Sequence, residues 1–134
     1  MPYEILPHTA DVRLKASGKT PEELFSEALK GMMTIAKPAV KNSTESTRRH
    51  IGIASFDQTA LLIDFLNEAL SLSQIHKEAY MVVRFSSFSE TELEGELEGK
   101  PAVFGEDIKA VTYHGAEIIK SNSGDYEIII LFDI

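Results

Sequence analysis

The sequence predicts an α+β domain in which a mixed, mainly antiparallel sheet packs against two long helices. Two segments, at about residues 21–37 and 58–75, carry apolar residues at helical spacing. From residue 80 onward the apolar period changes to two, which is typical of strands. No internal repeat or linker interrupts this order, so we expect a single domain over residues 1–134.

The first part of the chain predicts two strands and the start of a helix. A short strand is expected at 3–6, and apolar and polar residues alternate along a second strand at 12–17. Thr20 then offers an N-cap hydroxyl, Pro21 suits the first helical position, and Glu23 completes a capping box. The apolar face of this helix must cover a sheet.

The second helix is predicted to begin after Asp57, which offers another N-cap, and to run to about Ile75. Its apolar face is also expected to cover a sheet. Its other face, which we expect to be solvated, contains Asp64, Asn67, Glu68 and Ser71. The remaining strands are predicted at 48–56, 80–88, 92–98, 108–113, 116–121 and 126–133. The composition of residues 121–125 predicts a hairpin turn between the last two strands.

Composition limits the class of protein. The 134 residues suffice for one core, and the absence of cysteine excludes disulfides, thiolate metal sites and cysteine nucleophiles. A reducing compartment is therefore expected. The N-terminus lacks a signal-peptide pattern, and no apolar segment approaches the roughly 20 residues that a membrane span needs. We expect a cytoplasmic protein without membrane association.

The formal net charge of −8 disfavours direct binding to RNA or DNA, because it repels phosphate backbones. The same charge attracts metal cations or the basic surface of a partner protein. An acidic surface that serves only solubility is the commoner case.

The last strand ends in two neighbouring carboxylates, the side chain of Asp133 and the α-carboxylate of Ile134. Their repulsion favours a bound cation, and hard divalent ions prefer such oxygen ligands. A solvated terminus is the alternative, and on this segment alone it is favoured. Asp11 is a candidate third carboxylate, although it also suits a turn. His8 is a candidate metal ligand, a hydrogen-bonding group beside a ligand, or a turn residue.

Other polar features are weaker candidates. Carboxylates recur at every second residue from Glu90 to Glu98 and would form an acidic stripe on one strand face. Their spacing of about 7 Å is too wide to chelate one ion, so a solvated face is favoured over a docking surface for a basic partner. Common motifs of nucleotide-binding and hydrolytic enzymes are missing. A group of acid-base residues has no identified nucleophile to activate; it contains Asp107, Lys109, Tyr113 and His114.

Five segments occur in a distinctive combination: HTADV at 8–12, GKTPEELF at 18–25, LIDFLNE at 62–68, IKAVTYH at 108–114 and FDI at 132–134. In content and order they resemble the archease family, and together they extend over nearly the whole chain. The resemblance implies an archease-like α+β fold and an accessory role. Archeases assist RtcB-type RNA ligases in tRNA splicing and RNA repair by promoting the guanylylation of the ligase, which performs the chemistry itself. The chain is therefore not expected to be an enzyme.

The resemblance also implies a metal site. Family members carry a divalent metal, typically calcium, on residues that match Asp11, Asp133 and the terminal carboxylate of Ile134. Lys109 matches a lysine implicated in activation of the ligase, and His8 belongs to the same motif as Asp11. Pro7 departs from the acidic residue that the family commonly has there. A small metal-dependent phosphoester hydrolase and a general chaperone-like binding module are the alternative functions.

Overall fold

The structure is a computed structural model that describes residues 2–4, 11–41 and 45–134. Within these residues it contains two helices and eight strands, and the α+β class is confirmed. In chain order the elements are β1 Asp11–Gly18, α1 Pro21–Ile35, β2 Pro38–Val40, β3 Thr47–Ala54, α2 Gln58–His76, β4 Glu78–Phe88, β5 Glu92–Phe104, β6 Ala110–Thr112, β7 Ile119–Lys120 and β8 Tyr126–Asp133.

The described strands form two four-stranded sheets instead of the single sheet predicted, and all of their pairings are antiparallel. In the first sheet, β8 lies between β1 and β6 and also pairs with β7. In the second sheet, β5 pairs with β2, β3 and β4. A period of two shows that a segment is a strand but not which strand it pairs with, so the division into two sheets was not visible in the sequence.

Both helices begin as predicted. Thr20 caps α1 by accepting a hydrogen bond from Glu23 N, and Asp57 caps α2 by accepting one from Ala60 N. The first turns of α2 are buried on all sides, because residues 60–63 are all enclosed. Each helix contacts strands of both sheets, so the helices join the two sheets around one core. Its largest enclosed side chains include Phe25, Phe65, Tyr80 and Phe132.

Several strands differ from their predicted lengths. β5 continues past the predicted end at 98 to Phe104, β6 and β7 are shorter than predicted, and β2 was not predicted. Tyr3 and Glu4 are not in a strand, and the rest of the predicted opening strand lies outside the described residues. The loop at 121–125 forms the predicted hairpin turn between β7 and β8, with Gly124 at φ 90°.

An ion pair between the buried Glu78 and the partly exposed Arg49 joins β4 to β3 across β5. The Glu78 carboxylate accepts hydrogen bonds from Arg49 Nε and Nη2, both at 2.9 Å, and from the Tyr80 hydroxyl at 2.7 Å. The Arg49 guanidinium lowers the pKa of Glu78 from 4.5 to about 2, against the opposing effect of burial. A Cβ at Gly99 would lie 2.5 Å from Tyr80 Cδ1, so glycine makes room for the ring.

Candidate functional site

The two predicted aspartate ligands lie on neighbouring strands, directly opposite each other. In the antiparallel pairing of β1 with β8, Asp11 is the register partner of Asp133. Directly opposed residues project to the same face of a sheet. Residues 122 positions apart in the chain are therefore brought together by the pairing of the first described strand with the last.

The backbone hydrogen bonding of Asp133 shows whether Asp11 and Asp133 form a hydrogen-bonded or a non-hydrogen-bonded antiparallel pair. Its carbonyl oxygen accepts a hydrogen bond from Lys109 N at 2.7 Å, on the β6 side of β8. The carbonyl thus points away from β1, so Asp11 and Asp133 are an antiparallel pair without mutual backbone hydrogen bonds. In pairs of this type the Cα atoms are about 4.5 Å apart, and the side chains come closer than in the hydrogen-bonded type.

The electrostatics of this pair favour a cation. Asp133 Oδ1 is buried and has no hydrogen-bond partner among the described residues, whereas the Asp11 side chain is exposed. Neither carboxylate forms an ion pair with a basic residue in the described part of the chain. Like charges directly opposite each other on adjacent strands repel, and a buried acceptor without a partner costs free energy. A bound cation would offset both costs.

Ile134 follows Asp133 directly, and its half-buried side chain packs against the core. This packing holds the main chain of the last residue beside the carboxylate pair. No group of three acidic or histidine side chains within residues 2–4, 11–41 and 45–134 is arranged to hold a metal ion. A metal site here accordingly needs a donor in addition to the Asp11 and Asp133 side chains, such as the main-chain carboxylate of Ile134.

His8 and Lys109 are the other two candidate site residues. His8 lies outside the described residues. Lys109 has an exposed side chain, and its backbone is joined to Asp133 by the hydrogen bond given above. Lys109 therefore lies next to Asp133, on the opposite side of β8 from Asp11.

The acidic stripe is shorter and less isolated than predicted. β5 begins at Glu92, so Glu90 lies before the strand. Glu98 pairs with Arg84, which lowers the pKa of that carboxyl. On β3, His50 is the register partner of Glu96 and Arg48 is that of Glu98. Basic residues on both flanking strands thus balance one end of the stripe.

A model of the archease protein family (MTH1598/TM1083) matches residues 3–134. The chain belongs to the archease family. It is 34% identical over 131 residues to the protein archease of Methanosarcina barkeri, with 91% of this chain and 89% of that protein covered. It is 28% identical over 148 residues to the protein archease-like of Drosophila melanogaster, with 100% of this chain and 91% of that protein covered.

Solved structures with the same fold include the crystal structure of an archease, a possible chaperone, from Thermotoga maritima. It matches with a TM-score of 0.73 at 20% identity and covers 100% of this chain and 98% of that one. The solution structure of Methanobacterium thermoautotrophicum protein 1598 matches with a TM-score of 0.64 at 21% identity, with 98% and 96% of the two chains covered. At these identities the likeness shows the archease fold alone.

In this archease, two residues of α2 predicted to face water, Asp64 and Asn67, instead bind the segment that follows the 105–109 loop. Asp64 accepts hydrogen bonds from the hydroxyls of Tyr113 and Ser55, and Asn67 bonds to the backbone of Val111. The Asp64 carboxylate raises the pKa of Tyr113 to about 12. The prediction was wrong because helical periodicity identifies the apolar face but cannot show that a second segment lies against the polar one.

No helix among the described residues has the length and apolar character required to cross a membrane.

Proposed function

We propose that this archease is a metal-binding protein cofactor that activates an RtcB-type RNA ligase. In this role it promotes the guanylylation and turnover of the ligase in tRNA splicing and RNA repair, and it catalyses no reaction of its own. Membership of the archease family supports the role. The observation that carries the metal site is the register pairing of Asp11 with Asp133, together with the unpartnered, buried Oδ1 of Asp133.

Asp11, Asp133 and the α-carboxylate of Ile134 are the proposed ligands of a divalent ion, in the first instance calcium. All three are hard oxygen donors, which is the ligand type that calcium prefers. When bound, the ion supplies positive charge that neutralises the adjacent carboxylates. The protein contributes the placement of those carboxylates, since β1 and β8 hold the two aspartates opposite each other.

Lys109 and His8 are the proposed contacts to the ligase or to the metal ligands. The exposed side chain of Lys109 is free to extend towards a partner, while its backbone stays bonded to Asp133. A contact through Lys109 would therefore place the partner beside the carboxylate site. The net charge of −8 favours a basic protein surface over RNA as the partner, so we propose no direct contact with nucleic acid.

The proposal is tested by measuring guanylylation of a purified RtcB-type ligase with and without this protein. We expect stimulation by the unmodified protein and its loss in Asp11→Ala and Asp133→Ala. Glu127→Ala is the matched control, because Glu127 is on β8 like Asp133. Its carboxylate instead pairs with Lys15, at 3.8 Å. Absence of stimulation by the unmodified protein would refute the role. Phosphoester turnover by the protein alone, abolished by chelation, would instead support the hydrolase.

The terminal ligand has its own test. Adding one glycine after Ile134 keeps the isoleucine side chain in place but moves the α-carboxylate by one residue. We expect this change to weaken calcium binding and stimulation of the ligase. Ile134→Leu, with the carboxylate in its original position, should preserve both. An extended chain with unchanged calcium content and activity would remove Ile134 from the ligand set.

A further inference from the structure

The edge strand β6 depends on α2 for its second set of hydrogen bonds. β6 contains only Ala110–Thr112 and pairs with β8 on one edge. The N–H and C=O groups of its central residue, Val111, both bond to the side chain of Asn67 on α2, so they point away from β8. The Val111 side chain is buried. Without Asn67, two polar backbone groups at the edge of the core would lose their partners, which is costly.

The carboxamide of Asn67 occupies the position of a neighbouring strand. Its Nδ2 donates to Val111 O at 3.0 Å, and its Oδ1 accepts from Val111 N at 3.2 Å. A partner residue in a β-ladder supplies the same pair of groups, one acceptor and one donor. The backbone of Val111 determines the orientation of the Asn67 carboxamide. Oδ1 must face the Val111 N–H, which only donates, and Nδ2 must face the Val111 carbonyl, which only accepts.

Two further side chains on the same helix hold the residues on either side of Val111. Gln74 Nε2 donates to Ile108 O at 2.9 Å, and Asp64 accepts from the Tyr113 hydroxyl. Contacts at positions 64, 67 and 74 of α2 thus bind positions 113, 111 and 108, so the segment runs antiparallel to the helix. Lys109 lies between two of these contacts.

We propose that Asn67 is a positioning residue whose carboxamide, acting as a substitute strand, sets the place of Lys109 and of the Asp133 end of β8. The link is direct, because Lys109 N donates to Asp133 O at 2.7 Å. Displacement of the 108–113 segment would therefore move the main chain that carries the proposed metal ligand. The functional part of this inference rests on the proposed metal-dependent role, whereas its structural part does not.

The test is Asn67→Leu, which retains the size of the side chain and removes both hydrogen bonds. The matched control is Thr59→Val, since Thr59 is also on α2 and its hydroxyl accepts a single backbone bond, from Ile118 N at 3.1 Å. Hydrogen exchange at the Lys109 amide is the main readout, measured without metal or ligase. This amide bonds to Asp133 and not to Asn67, so at equal free energy of unfolding its exchange rises only if Asn67 fixes the neighbouring structure.

We expect Asn67→Leu to increase Lys109 exchange by roughly tenfold or more. Calcium affinity should fall by about 10-fold to 100-fold, as is typical when residues that support metal ligands are removed. Thr59→Val should leave both unchanged when the variants are compared at equal free energy of unfolding. Unaltered Lys109 exchange in Asn67→Leu would overturn the inference.

If Asn67→Leu fails to fold, Asn67→Asp provides the second test. It keeps an acceptor for Val111 N but removes the donor to Val111 O, so exchange at Lys109 should again rise, by a smaller factor. Unchanged exchange in that variant also overturns the inference. The two proposals fail separately: absent calcium binding or ligase stimulation by the unmodified protein refutes the proposed function, while Lys109 exchange decides the role of Asn67.

Discussion

Replacing Asp133 with asparagine is expected to change the stability of this archease in opposite directions with and without calcium. Asp11 and Asp133 are register partners, and no described basic residue pairs with either. Without a cation, the charges of the two carboxylates repel. Two unit charges about 5 Å apart in a water-like dielectric repel by about 1 kcal/mol. Asp133→Asn should therefore raise the free energy of unfolding by up to about this amount in the presence of a chelator.

Calcium reverses the sign. A ligand that binds only the folded state at 100 times its dissociation constant stabilises a protein by about 2.7 kcal/mol. The unmodified protein gains this stabilisation, whereas Asp133→Asn loses a charged ligand and gains little of it. At that calcium concentration the variant should be less stable than the unmodified protein by roughly 2 kcal/mol, after its relief of repulsion is included.

Urea unfolding in chelator and in calcium, at matched ionic strength, measures both differences. Glu127→Gln is the control, because Glu127 lies on the same strand and pairs with Lys15, remote from the carboxylate pair. Its effect on stability should not depend on calcium. The reasoning would be refuted if Asp133→Asn destabilised the protein equally in both solutions, since the residue would then act through packing alone.

Three further predictions concern the interactions that support the two sheets. Arg49→Met removes the partly exposed guanidinium from the enclosed Glu78 carboxylate and should lower the free energy of unfolding at pH 7 in urea titrations, by less than the loss of a partner from a fully buried pair. Equal destabilisation of Arg49→Met and of the double variant with Glu78→Met would contradict this. The pKa of Glu78 is lowered from 4.5 to about 2, so its stabilisation, roughly 3 kcal/mol, is complete above pH 4.5 and is lost as the pH falls through 2. Glu78→Gln should lack this part of the acid sensitivity, and an unchanged pH profile of stability would contradict the assignment. Asp64→Asn should bring the pKa of Tyr113 from about 12 back towards 10, as followed by NMR titration of the ring, and a value that stays near 12 would show that Asp64 is not the cause.

The helices were predictable because their determinants are local. Thr20 and Asp57 each bond to a backbone N–H three residues ahead, so a short stretch of sequence contains both partners. The same holds for the turn before β8, where Gly124 adopts a positive φ. These elements were predicted with their starts within a few residues of the observed positions.

The division into two sheets and the polar face of α2 were not predictable in this way. Both depend on which segments meet across long chain separations, and neither period nor propensity encodes that. Asn67 illustrates the difficulty, because an asparagine on the polar side of a helix is ordinarily solvated. Only the presence of Val111, 44 residues later, gives its amide two partners.

The candidate site was partly accessible from sequence. The neighbouring carboxylates at the end of β8 suggested a cation, but on that segment alone a solvated terminus was the favoured interpretation. Asp11 was already a candidate third carboxylate, but its assignment as a ligand came from the resemblance to the archease family, because nothing in the spacing of residues 11 and 133 indicates that they meet. The structure supplies the pairing of their strands, and the binding of a metal stays a prediction.

The geometry of the carboxylate pair is set by the core that underlies it. Ile128, Ile130 and Phe132 are buried on the inner face of β8, so Asp133 is on the outer face, as is its partner Asp11. A shift of one residue in β8 would turn Ile129 and Leu131 inward in place of Ile128 and Ile130, at little net cost in buried apolar surface. It would, however, expose Phe132, at about 1.5 to 3 kcal/mol, and turn the Asp133 carboxylate towards the helices, where a charged group is costly to bury. The last two residues of β8 therefore favour the register in which the two carboxylates face each other.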